Sequence, residues 1–178
     1  MRKTACIVVA LVVIPLGSLS AMEERSYGRI GQWEVIAYYN EVGVFSHCAL
    51  GMASRSKQEN LTLTLGAQGY FVFLDNPEWA LPLDDRYRVQ ASIDQQIWQS
   101  SATVYSPTGV SMAFPWNVGF GAAFASGSDM SVRFSNGRSW TVALRGSNAA
   151  MPSFLKCLNE NKIDRNPMRD GPGNGAQN

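Results

Sequence analysis

The stretch Asp129–Leu158, DMSVRFSNGRSWTVALRGSNAAMPSFLKCL, decides the fold. Two apolar-alternating runs flank Asn136-Gly137, a strong hairpin signal. A two-residue turn there would set Phe134 against Ser139 and Val132 against Thr141, apolar opposite polar on the core face. A loop of Ser135-Asn136-Gly137 instead sets Val132 against Trp140 and Met130 against Val142, with Gly137 in the left-handed position of a G1 bulge. A slip of one residue turns a strand inside out, so matching faces select the longer loop. Gly146 then breaks the strand, and a helix follows with Ser147 or Asn148 as its cap. Ala149, Ala150, Phe154, Leu155 and Leu158 form its apolar face, and Pro152 is placed in its first turn. The helix carries Cys157.

Upstream, the chain reads as further strands. Trp33, Val35 and Ala37 alternate with Glu34, Ile36 and Tyr38. Leu61, Leu63 and Leu65 share one face of LTLTL, and Gly66 and Gly69 flank the turn into YFVFL, Tyr70–Leu74, an apolar run that reads as a central strand. Tyr87, Val89, Ala91 and Ile93 point inward, with a turn at Gln95 and Gln96. Two more strands are expected around Ser101–Tyr105 and Val110–Phe114. Phe120 and Phe124 share a helical spacing in NVGFGAAFASG, which is read as a short helix despite Gly119 and Gly121. Many short strands, one late helix and no βαβ alternation predict a mainly β fold, an antiparallel β-sandwich or flattened barrel with a C-terminal helix.

The ends of the chain differ in kind from its middle. Arg2 and Lys3 precede an apolar run, Ala5–Leu16, and small residues follow up to Ala21. This pattern predicts a signal peptide over 1–21, too short and too interrupted by Pro15 to span a membrane. The domain is placed at 25–160. From Asn161 to Asn178 the chain is polar and rich in Pro and Gly, and reads as a disordered tail or an arm that orders on a partner. Without the signal, 13 basic residues face 14 acidic ones, a net charge of −1. Such a balance, with no basic cluster, argues against nucleic acid and against electrostatic membrane binding.

Removing residues 1–21 also removes Cys6 and leaves Cys48 and Cys157. An even count in an exported chain favours a disulfide between them. A loop of that length contributes roughly 4–5 kcal/mol in the chain-entropy model. The competing reading is a reactive Cys48 activated by His47, the lone histidine. Neighbours on a strand point to opposite faces, which opposes that contact.

Signals for chemistry are sparse. One histidine makes a zinc site improbable, no cofactor loop or nucleophile motif is present, and neither a catalytic residue nor a cofactor is expected. Asp94 with Glu34 or Glu78 is a weak carboxylate pairing, and Asn60-Leu61-Thr62 matches a glycosylation sequon. The loop DNPEWALPL places Trp79 between Pro77 and Pro82, either as a packed corner or as an aromatic anchor for a partner. Asp84 and Asp85, just beyond, are a solvated turn or part of the same partner contact.

Taken together, GQWEV at Gly31, VQASID at Val89 and WTVALRGSNAAMPSFLKC at Trp140 resemble the invasion-associated locus B family and related small secreted bacterial proteins. The resemblance spans most of Gly31–Leu158, although that family's extra mid-domain cysteines have no counterpart here. It implies a periplasmic or surface β-sandwich linked to envelope or host-interaction phenotypes, without a defined enzymatic activity. The expected function is therefore a non-enzymatic exported interaction protein, periplasmic or secreted, with a protein partner. An inhibitor or immunity-type protein, or a hydrolase with an unrecognised site, are the alternatives.

Overall fold

A computed structural model describes residues 23–52, 60–66, 69–116 and 119–161. The expected signal peptide and all but the first residue of the expected tail lie outside them. In chain order the elements are β1 (Glu23–Ile30), β2 (Trp33–Tyr39), β3 (Phe45–Met52), β4 (Asn60–Gly66), β5 (Gly69–Asp75), β6 (Arg86–Ile93), β7 (Gln96–Ser106), β8 (Gly109–Pro115), α1 (Phe120–Ser126), β9 (Asp129–Phe134), β10 (Ser139–Ala143) and α2 (Ser147–Glu160). The ten strands of the described residues form one antiparallel sheet in the order β1-β2-β3-β4-β5-β8-β7-β6-β9-β10.

The fold is mainly β with a C-terminal helix, and the sheet curls around one core without closing. Its two ends meet through side chains rather than through strand pairing. Gln32 Nε2 donates to the carbonyls of Ala143 and Arg145, each at 3.3 Å, and Trp33 Nε1 donates to that of Arg145 at 2.8 Å. The period-two pattern sets the core: Leu61, Leu63, Val72, Leu74, Val89, Ala91, Val110 and Met112 all lie inside. YFVFL is indeed a central strand, but it is covered on one face more than the other. Tyr70, Val72 and Leu74 are buried, while Phe71 and Phe73 are half-buried on the outside.

The β9–β10 hairpin has the register that face matching selects. Trp140 pairs with Val132 and Val142 with Met130, and Gly137 takes φ 85°. The Phe134 N–H donates to Arg138 O, which leaves Ser135-Asn136-Gly137 as the loop. Trp140 Nε1 is buried without an acceptor among the described residues, and nothing in the structure accounts for it.

Helix α2 begins differently from expectation. Its N-cap is Gly146 at φ 86°, so neither Ser147 nor Asn148 holds that position, although Asn148 Oδ1 accepts from the first-turn Ala149 N–H at 2.8 Å. The Ser147 hydroxyl is buried and donates instead to the Phe124 and Ala125 carbonyls at the end of α1. This bond satisfies carbonyls that a short helix leaves unpaired. Pro152 lies in the second turn, not the first. The bond it cannot make would have gone to the carbonyl of Asn148, an exposed residue that water can reach. The buried face of α2 is Ala150, Met151, Phe154, Cys157 and Leu158, so Ala149 turns outward and Leu155 is only partly covered.

Three further differences have local causes. β1 was not apparent in the sequence because its residues are largely exposed and carry no apolar alternation. The turn between β6 and β7 is Asp94-Gln95, with Ile93 paired to Gln96 and Asp94 at φ 50°. Helix α1 forms despite its glycines because one of them is needed. A Cβ on Gly121 would collide with the phenol of Tyr70. Phe120 stacks on Phe114 at 4.2 Å, and Phe124 meets Trp33 edge-on at 5.6 Å.

Candidate functional site

The structure joins Cys48 to Cys157, with Cα atoms 6.2 Å apart. Both residues are fully buried, and the bond ties β3 to α2. His47 lies on the other face of β3, stacked on Tyr38 at 4.9 Å with Ser46 Oγ 3.0 Å from its Nδ1. Partial burial lowers the His47 pKa from its ordinary value. Histidine and thiol are therefore separated by the sheet, and the sulfur is already bonded. Among the described residues, no group of three or more His, Cys, Asp or Glu is placed to hold a metal. Asp94 sits in a turn and accepts from the Ser128 N–H at 3.2 Å.

The segment between β5 and β6 carries the other singled-out residues. Its backbone is fastened along its length to the β7–β8 corner. Asn76 N–H donates to Thr108 O, Leu81 N–H to Pro107 O, and Asp84 N–H to Val104 O, while Val104 N–H donates back to Asp85 O. Asn76 Oδ1 also accepts from Glu78 N–H at 2.8 Å, an Asx turn that starts the loop. Prolines at 77 and 82 and this set of bonds hold the loop in one shape.

That loop lays Trp79 back over the end of the sheet. The indole is half-buried and meets Phe134 edge-on, with centroids 5.9 Å apart. Tyr87, also half-buried, meets the same Phe134 ring at 6.2 Å. Between the loop and the β9–β10 hairpin is an open cavity of about 290 Å³. Trp79, Leu81, Tyr87 and Phe134 supply its aromatic and apolar walls, and Arg138 and Ser139 its hairpin side. Much of that volume is open to solvent, so the cavity is a shallow recess against which the end of a side chain can pack.

Asp85 reaches the rim through Tyr87, whose hydroxyl donates to its Oδ2 at 3.2 Å. Partial burial, followed by the neighbouring Asp85 carboxylate, raises the Tyr87 pKa. Asp84 has a left-handed backbone, φ 65°, and an exposed side chain. Asp85 is thus linked to the cavity through Tyr87, while neither it nor Asp84 lines the cavity itself. Reading the sequence as strands placed Tyr87 and Phe134 only in the core, and it missed Arg138. The available signal was the hairpin itself: its loop length puts residue 138 opposite Phe134, above the end of the sheet.

No family model matches the chain, and no curated protein matches it. Among solved structures, the chain is similar in fold to the crystal structure of invasion associated protein B from Bartonella henselae. The TM-score is 0.52 at 15% identity, covering 79% of this chain and 99% of the other. At that identity the likeness concerns the fold alone. It agrees, at that level, with the resemblance carried by the sequence motifs.

Proposed function

We propose that the protein is a non-enzymatic exported protein of the bacterial envelope, periplasmic or secreted, that works by binding a protein partner at the Trp79 cavity. The observation that carries this reading is the fastened loop presenting a half-buried Trp79, beside Tyr87 and Phe134, around an open recess. Aromatic anchors and arginine at a preformed pocket are the usual sources of binding energy in protein interfaces. The buried disulfide and the apolar N-terminal run support export. The fold shared with an invasion-associated protein supports a role at the cell envelope in contact with a host. An inhibitor that plugs a cleft is less well supported, because Trp79 lies back against Phe134 rather than projecting.

A photo-crosslinking amino acid at Leu81, in protein exported to the envelope, tests the reading. A discrete crosslinked partner is expected from position 81, and Trp79→Ala should abolish it while the circular dichroism spectrum is unchanged. Capture that survives both Trp79→Ala and Phe134→Ala overturns the assignment of the site.

A further inference from the structure

The two outer strands of the sheet are protected very differently. β1 carries Glu23, Glu24, Arg25 and Arg29 and breaks register between Ser26 and Gly28. Charges and a bulge are the usual defences of a free edge. β10, Ser-Trp-Thr-Val-Ala, has no charge, no proline and no bulge. Its hydrogen bonds to β9 use the even-numbered residues, as the Phe134 N–H to Arg138 O and Leu144 N–H to Ser128 O bonds show. The N–H and C=O groups of Ser139, Thr141 and Ala143 therefore point away from the sheet. Gln32 and Trp33 cover this edge at its far end by taking the Ala143 and Arg145 carbonyls. Among the described residues no strand pairs with Ser139 and Thr141. Ser139 also lines the Trp79 cavity, so the open rungs lie beside it.

We propose that the edge at Ser139–Thr141 is a strand-addition site for an extended acidic segment of a partner protein, one aromatic or large aliphatic side chain of which packs against the open Trp79 recess. This rests on the function proposed above and adds the kind of partner. Charge supplies the complementarity. Between Arg86 and Arg145 the chain has five arginines and two acids, Asp94 and Asp129, while Asp84 and Asp85 stand on the loop side of the cavity, where Asp85 already accepts from the Tyr87 hydroxyl. Arg88, Arg133 and Arg138 are exposed around the hairpin end, and none forms an ion pair among the described residues. A second copy is a poor occupant, since edge-to-edge pairing brings like-charged arginines together. Residues 162–178 are also a poor occupant: they carry three basic against two acidic side chains, the wrong balance for an arginine-rich edge. Main-chain pairing with one side chain in a pocket is the physics of β-augmentation.

A displayed library of random decapeptides, selected on the exported protein, provides the probe. Enriched sequences are expected to combine an aromatic or large aliphatic residue with flanking acids. On binding, the Ser139 and Thr141 amides should become slow to exchange by NMR. Thr141→Pro should weaken binding roughly tenfold or more, and so should N-methylation at alternate peptide positions. The Thr141 N–H is outside the β9 ladder, so proline there removes no backbone hydrogen bond, only the exposed hydroxyl bond between Thr141 and Ser131 at 2.8 Å. If Thr141→Pro does not fold, the exchange and N-methyl measurements on the parent protein decide. Peptides that need Trp79 but leave both amides unprotected would overturn strand addition and leave the cavity reading intact. Binding indifferent to Trp79→Ala would overturn the cavity reading itself. No enrichment, or enrichment without acids, overturns the stated occupant, as does a dimer that Thr141→Pro dissociates.

Discussion

Two flanks of the same sheet close their core by different means. Under α2 the covering is complete. Trp33, Phe124, Phe154 and both cysteines are fully buried, the disulfide crosses from β3 to α2, and the Ser147 hydroxyl links α2 to α1. At the hairpin end the covering is a loop whose backbone is tied down at several points while its side chains stop short of filling the space. Trp79 and Tyr87 are half-buried there, against a single ring, Phe134. The first arrangement spends its contacts on stability. The second holds aromatic surface rigid and accessible, the condition under which binding costs little ordering entropy.

The largest effect should come from the helix-covered flank. Trp33→Ala removes a fully buried indole and its bond to Arg145 O, and is expected to cost about 3–5 kcal/mol in urea unfolding. A loss below that of Trp79→Ala would erase the contrast. Next, replacing Cys48 and Cys157 with serine should cost about 2–4 kcal/mol, and thiol titration of the denatured, unreduced exported protein should find no free cysteine.

Trp79→Ala should be milder, about 1–2 kcal/mol, since half an indole surface and one edge-to-face contact are lost. A cost near that of Trp33→Ala would make the loop a core closure and remove the basis for a binding surface. The smallest effect belongs to His47. Burial lowers its folded-state pKa below the unfolded 6.5, so the unfolded chain takes up the proton first as pH falls. Its contribution is complete above that value and is lost as pH drops through the folded pKa. Thermal melts between about pH 7 and 5.5 should show a shallow decline that His47→Gln flattens.

How much was legible follows from where the determining contacts lie in the chain. The β9–β10 register could be read because both partners sit within a few residues of the turn, and one misplaced residue exposes a tryptophan. The cysteine pair followed from a count. By contrast β1 has no apolar period to read, since its role is to be the outer strand. The α2 start was misassigned because Gly146, in a left-handed conformation, takes the N-cap position, which puts Ser147 inside the helix with its hydroxyl donating to the α1 carbonyls. Gly121 looked like a weakness until Tyr70, distant in sequence, occupied the space a side chain would need.

The sequence by itself determined a mainly β chain, the hairpin register, a terminal helix carrying a cysteine, and a loop built around Trp79. These depend on alternation, turn chemistry and parity, which act over a few residues or by simple count. Only the tertiary structure decided that the sheet stays open, that Gln32 and Trp33 bridge its two ends to carbonyls more than a hundred residues away, and that the Trp79 loop meets the hairpin across a cavity. Those outcomes depend on how a twisted ten-stranded sheet brings distant segments together, and short-range sequence pattern does not encode that distance.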